Sequence, residues 1–226
     1  MTVLVLVAPG SEEIETVAIV DTLVRARIEV LLASCCPAGL RQIRASRGVQ
    51  LVADYHIDEL TSRDFEAIVV PGGLPGSEAI RDTPLAIDLL REQAALGRWR
   101  AAMCAAPVVV LQHHDLLGDA SVTCHPGLQA QLPTSQLSTA RVVTDDAHRL
   151  ITSQGPGSAI EFALEIVRVL RGDDTALTVA GPMGSPPRSR HNGFGHRGSL
   201  LVTTERPLPI GKGRSAIGRA QLGLPP

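Results

Sequence analysis

Cys104 is the residue best placed to do covalent chemistry. It stands in Ala101-Ala102-Met103-Cys104-Ala105-Ala106-Pro107, closing an apolar run, with a helix expected to begin just after it. Strand, nucleophile, helix is the layout of a nucleophile elbow. A helix N-terminus offers unpaired amides and the positive end of a dipole, and both favour a thiolate. A thiol pKa well below the free value of about 8.5 is therefore expected. The four flanking alanines leave room for so tight a turn. Free cysteines are most often buried packing residues, so the reactive reading needs a partner group.

Glu15 is the candidate partner. Three acids, Glu12, Glu13 and Glu15, follow Pro9-Gly10-Ser11. Ser11 is the expected helix N-cap, and acids suit the first turn. Glu12 and Glu13 would serve the dipole as well as Glu15 does. On a helix, Glu12 and Glu15 share a face, so one of them can look into a crevice. A carboxyl held there could stay neutral and donate a hydrogen bond to a thiolate. His125 follows Cys124 at the end of a strand-like segment, where a base would be placed. His113 and His114 lie near a helix end, which suits capping or exposure. Gly72-Gly73 follow a buried strand and could offer backbone amides to an oxyanion.

The elements that must position these groups alternate. Val3–Ala8 is a continuous apolar run, as in a buried parallel strand. A helix to about Arg27 follows, then an apolar strand over Ile28–Ser34. Val49–Val52 is extended, Ala67–Val70 is the next buried strand, and a helix runs from Pro84 to about Leu96. Arg100–Met103 leads into Cys104. Strand-like segments at Val122–Cys124, Arg141–Thr144 and Leu150–Thr152 precede a last helix over about Gly157–Leu170. Alternation of this kind predicts a mostly parallel sheet covered by helices on both faces. Ligands of such sheets bind beyond the carboxyl ends of the strands. Three strands end there in unusual chemistry, at Pro9–Glu15, Pro71–Gly76 and Met103–Pro107.

Composition narrows the classes further. The 226 residues are 44% apolar and 19% charged, but only 2% aromatic. That gives an aliphatic core and no stacking platforms for bases. No apolar run is long enough for a membrane span, and no basic leader is seen. Four cysteines with no C-x-x-C argue against a zinc site or disulfide framework and for a cytoplasmic location. No G-x-G-x-x-G follows the first strand, and three glutamates there would repel phosphates, which excludes a dinucleotide enzyme. No G-x-S-x-G occurs, so a serine esterase is unsupported. The net charge is −2, yet residues 184–226 hold seven Lys+Arg against one acid, with eight Gly and six Pro. That stretch reads as a disordered basic tail following a domain over 1–183. It could touch nucleic acid weakly, but a solvated extension is the simpler reading.

Taken together, these pieces resemble the DJ-1/PfpI superfamily, and most closely its DJ-1/YajL-like branch. The matching stretches are Val7–Val17 (VAPGSEEIETV), Ala45–Val49 (ASRGV), Val69–Gly76 (VVPGGLPG), Ala102–Pro107 (AMCAAP) and Ile151–Leu164 (ITSQGPGSAIEFAL). They recur in the family's order over about residues 2–180. The resemblance implies a flavodoxin-like sandwich, a homodimer and cofactor-free chemistry. It implies an oxidisable catalytic cysteine at Cys104, a protonated partner at Glu15 and a nearby histidine at His125. Gly73 and Ala105 fall on the oxyanion side, and Arg47 near the dimer interface and the cysteine pocket. Ala105 stands where the protease-like and Hsp31-like branches have a histidine, so a Cys-His-acid triad is not expected. Val52 stands where the human-type branch has a second cysteine. The implied activity is glyoxalase- or deglycase-type work on small dicarbonyls, or on glycated protein or nucleotide adducts. The rivals are a redox-sensing chaperone using the same cysteine and, more weakly, a cysteine peptidase.

Overall fold

The computed structural model describes residues 1–60 and 63–185. The strands are β1 (Thr2–Val7), β2 (Glu29–Ser34), β3 (Gln42–Arg44), β4 (Gln50–Val52), β5 (Tyr55–His56), β6 (Ala67–Val70), β7 (Trp99–Met103), β8 (Val142–Asp145) and β9 (Leu150–Ser153). The α-helices are α1 (Glu13–Arg25), α2 (Leu74–Arg81), α3 (Pro84–Ala95), α4 (Ala159–Arg171) and α5 (Asp173–Ala180). The main sheet has seven strands in the order β5-β2-β1-β6-β7-β9-β8. Its pairs are parallel except β8 with β9. β3 and β4 form a separate antiparallel hairpin.

Alternation along the apolar strands builds two cores. Leu4, Leu6, Ile68, Val70 and Ala102 face one layer, with Ile80, Ile87 and Leu90 of α2 and α3 packed on it. Val3, Val5, Ala67, Val69, Ala101 and Met103 face the other, under Ile19 and Leu23 of α1 and Phe162 and Ile166 of α4. Period-two side-chain direction makes each strand contribute to both layers. This is the mostly parallel, doubly covered sheet that the alternation of elements predicts, and the flavodoxin-like α/β sandwich that the resemblance implies.

Several local expectations are corrected. Ser11 is not the N-cap of α1; Glu12 is, its carboxylate accepting from Glu15 N at 2.7 Å. Ser11 Oγ is already engaged by Ala8 N at 3.0 Å, in the turn that precedes the helix. Val122–Cys124 is not a strand; only Val122 forms a bridge, with Leu137. α2 lies hidden in Leu-Pro-Gly, residues that read as a turn, and β3, β5 and α5 also went unread. The helix after Cys104 is a π-helix over Pro107–Gln112. Proline at its first position suits a site where the amide would have no partner. Of the expected tail, only Gly184 and Ser185 are described; the remainder of 184–226 lies outside the described residues.

Candidate active site

Three turns at the carboxyl edge of the sheet meet around Cys104. β7 ends at Met103, and Cys104 takes φ +60°, a left-handed conformation that non-glycine residues rarely adopt. Strain of this kind persists only where the surroundings hold it. Here Cys104 N donates to Ser153 O at 2.9 Å, and His125 N donates to Cys104 O at 2.7 Å. Cys104 is 8% exposed. Ala105 and Ala106 are buried beside it.

Gly72 makes the close approach possible. A Cβ there would overlap Cys104 Cβ and would lie 2.8 Å from Glu15 Oε2 and 3.0 Å from Cys104 Sγ. Gly73 follows at φ +87°. A Cβ on Gly73 would come within 2.7 Å of Glu12 N. The turn after β6 is thus pressed against the turn after β1, and Glu12 N donates to Gly72 O at 2.9 Å.

Glu15 is fully buried and projects from the first turn of α1 into this corner. Its Oε2 accepts from Gly72 N at 2.6 Å. Its Oε1 has no hydrogen-bond partner among the described residues. Burial raises the carboxyl pKa to about 7, against the pull of Gly72 N–H and the thiol, with the Glu12 charge adding to the rise. A buried carboxyl resists ionisation because its charge loses the water that would solvate it.

The Cys104 thiol faces this carboxyl and the amides of Gly73 and Ala105. The expectation of a lowered thiol pKa is corrected. Burial pushes the thiol up to about 12, the Glu15 charge adds to it, and the two amides oppose it without prevailing. The helix that should have lowered it starts only at Pro107. Two acids this close release protons as a pair rather than singly.

The remaining candidates sit around this core. His125 caps a short 3-10 helix over Pro126–Gln131, and its Nδ1 accepts from Gly127 N at 3.1 Å. The residue is exposed, and it is joined to Cys104 through its own backbone amide. Arg47 is tied to α1 by its backbone: its N–H donates to Glu13 Oε1 at 2.8 Å, and the residue is exposed. Glu13 went unread as a tether. It also accepts from Ser46 Oγ at 2.8 Å, fixing the turn that carries the Ala45–Val49 motif beside α1. Burial pushes the Glu13 carboxyl up, but bonds from its own amide, Ser46, Arg47 and Val49 together hold it below its ordinary value. His113 and His114 stack edge to face on each other, and His114 Nε2 bonds to Arg81 O.

The structure thus brings a buried glutamate against a cysteine at a left-handed strand-to-helix turn. The DJ-1/PfpI family matches residues 1–169. The chain belongs to the DJ-1/PfpI family. It is 41% identical over 179 residues to protein dj-1beta of Drosophila melanogaster, covering 78% of this chain and 93% of that one. It is 33% identical over 184 residues to a Caenorhabditis elegans protein named glutathione-independent glyoxalase DJR-1.2, covering 80% and 94%. Protein DJ-1 homolog B of Arabidopsis thaliana is 38% identical over 178 residues, but the match covers only 40% of that relative's length, against 79% of this chain. Among solved structures, oxidized DJ-1 of Toxoplasma gondii superposes with a TM-score of 0.79 at 40% identity, covering 81% of this chain and 98% of that one. No helix among the described residues is long and apolar enough to cross a membrane.

Proposed function

We propose that this DJ-1/PfpI protein converts small dicarbonyls, with methylglyoxal as the type substrate, by cysteine chemistry that needs no cofactor. One observation carries the reading: a fully buried Glu15, with its pKa raised to about 7, faces the Cys104 thiol at a strained turn. A base whose pKa matches the working pH is the most effective one near neutrality. The glyoxalase name of a relative at 33% identity agrees with it.

The steps follow from the pair. Glu15 carboxylate takes the thiol proton as Cys104 Sγ adds to the aldehyde carbon. A C–S bond forms, the carbonyl π pair moves onto oxygen, and Glu15 passes its proton to that alkoxide, giving a hemithioacetal and restoring the carboxylate. Glu15 then takes the proton from the former aldehyde carbon while that carbon's hydroxyl proton passes to the ketone oxygen, giving an enediolate, and returns it to the neighbouring carbon as the first carbon's oxygen re-forms a carbonyl, which leaves a lactoyl thioester. Water cleaves that thioester to lactate and regenerates the thiol. Early glycation adducts on amines present the same hemiaminal carbon, so deglycase-type repair is the natural extension. Gly73 and Ala105 hold the sulfur in this scheme, and Arg47 stands outside it as an anion-binding group at the rim. We place the reaction in a cytoplasmic homodimer; the exposed apolar residues Ile14, Val17 and Val24 along α1 support the pairing of two chains.

A redox reading is favoured by one further feature. The same two amides that face the thiol would stabilise a negative oxidised sulfur, as a sensor with chaperone activity requires. Steady-state lactate release from methylglyoxal separates the readings. Intact protein should release lactate over many turnovers, and Cys104→Ala should release none. A single-turnover burst with no further lactate would favour the sensor.

A further inference from the structure

Residues 115–121 follow the π-helix and turn twice through the left-handed region, at Asp115 (φ +56°) and Gly118 (φ +60°). Leu116, Leu117 and Ala120 of this loop are buried against the core layer that also holds Ile80 and Leu90. Two cationic side chains fasten the loop to the 146–149 turn between β8 and β9. Arg100, buried near the start of β7, donates from Nη1 to Leu116 O and from Nη2 to His148 O at 2.8 Å. Its charge is permanent, so that joint holds at any pH. His148 makes the second joint.

The His148 ring lies between two carboxylates. Its Nδ1 is 2.9 Å from Asp145 Oδ1, and its Nε2 is 2.6 Å from Asp119 Oδ1. An ionised carboxylate only accepts, so both ring nitrogens must donate and the ring must be the imidazolium. Gly118 lets the ring lie close, because a Cβ there would come within 3.3 Å of His148 Cδ2. Asp145 ties loop to turn a further time, its Oδ2 accepting from Ser121 N at 2.9 Å. The charged groups around the ring are Asp119 of the loop, Asp145 of β8 and Arg100 of β7. Of its sequence neighbours, Arg149 lies over the Trp99 ring, 5.2 Å from its centroid, and the Asp146 charge acts on Arg168 of α4.

We infer that His148 is a proton-operated latch: charged, it clamps Asp119 of the 115–121 loop to Asp145 of β8, and neutral, it lets the loop lift from the turn while Arg100 still holds Leu116. No neutral tautomer can make both bonds, because one ring nitrogen would then present a lone pair to a carboxylate. The bond to Asp145 raises the ring's pKa, burial opposes the rise, and the charges of Asp145 and Asp119 add to it. The latch is therefore fully set below the ordinary histidine value of 6.5 and is lost as pH rises through the raised folded value. Lifting uncovers the apolar side of the loop around Leu117 and Ala120. The device does not depend on the chemistry at Cys104.

Two measurements on the full chain test it. Ring nitrogen NMR at pH 6 should find both His148 nitrogens protonated. Asp119→Asn, a change at a side chain that is 95% exposed and so leaves the fold intact, should lower the midpoint of that titration. The Ser121 amide reports the latch, because it bonds to Asp145. Its hydrogen-exchange protection, taken relative to an unstructured chain at the same pH, should fall about two- to fivefold from pH 6 to pH 8.5, as for loss of an exposed ion pair. His148→Gln should remove this pH dependence, and Glu15→Gln should leave it in place. A ring with one protonated nitrogen at pH 6 would overturn the inference. So would a midpoint unmoved by Asp119→Asn, a pH dependence that survives His148→Gln, or an equal fall at the amides of β1, which would mark a general loosening of the fold.

Discussion

Cys104 and Cys35 invite direct comparison, because each directly follows a parallel strand at the same edge of the sheet. Both are buried, and burial raises both thiols to about 12. Cys35 keeps an ordinary backbone, donates its N–H to Val7 O at 2.7 Å, and packs into the layer with Leu6 and Ile57. Cys104 turns to φ +60° and is delivered to a carboxyl. The charge that acts on Cys35 is Asp58, an exposed residue. The charge that acts on Cys104 is Glu15, fully buried and able to take its proton. Neither burial nor a raised pKa separates the two cysteines. The buried carboxyl of Glu15 beside Cys104 does.

Removing that acceptor should have the largest effect. Glu15→Gln keeps an oxygen for Gly72 N–H but cannot move a proton. Lactate release from methylglyoxal should fall by about 10³, at the upper part of the range for one acid-base group. Alkylation of Cys104 should slow toward that of Cys35. Wild-type turnover in Glu15→Gln would reduce Glu15 to a packing residue and erase the distinction between the two cysteines.

The same substitution should stabilise the fold. Glu15 loses its proton near 4.5 when unfolded and near 7 when folded. Between those values the folded state binds more protons, so stability declines as pH rises through that window. The deficit above pH 7 is about 3 kcal/mol, an upper figure from a shift of this size. Glu15→Gln should therefore melt higher than wild type at pH 8, with the gain fading toward pH 4.5. Cys35→Ser should show no such dependence across this range. An enzyme that lost activity and gained nothing at pH 8 would show that Glu15 costs the fold little.

Gly72→Ala tests the packing that brings the pair together. The added methyl would overlap Cys104 Cβ and crowd Glu15 Oε2. Overpacking of this kind costs about 1–3 kcal/mol. A shift of the sulfur by a fraction of an ångström should lower turnover by about 10². Thermal melting and lactate release measure the two effects, and alkylation of Cys35 should not change.

Much of this corner was legible in the sequence. The apolar run to Met103, the small residues around Cys104 and the proline after them announced a tight turn ending a buried strand. Three acids after Pro9-Gly10 announced a helix start. Which acid turns inward was settled only by tertiary contacts: Glu12 caps the helix, Glu13 binds the Ser46–Val49 turn, and Glu15 is left for the thiol. The acidity of Cys104 was misread for a related reason. The helix-dipole argument counts one local element, whereas desolvation and the Glu15 charge come from the whole fold. α2 escaped because Leu-Pro-Gly reads as a turn, although proline is well tolerated in a first helical turn. The bond from Gly127 to His125 Nδ1 spans two residues, and no periodicity reports it.

The pH dependence of alkylation sharpens the comparison by the smallest margin and the most direct one. Below about 7, Glu15 and Cys104 both hold their protons, and the thiol has no base. Deprotonation of Glu15 supplies one. The iodoacetamide rate at Cys104 should therefore fall about fivefold from pH 7 to pH 6 and flatten above pH 8. Cys35 has no such base, so its rate should stay low and climb with hydroxide across the same range, its own thiol being held up to about 12. Peptide-resolved mass spectrometry reads both sites in one sample. The two cysteines then act as each other's control, because a general loosening of the fold would raise both rates together. A Cys104 profile with no inflection near 7, or one that follows Cys35, would mean that the pair does not share its protons and that the carboxyl is not the base.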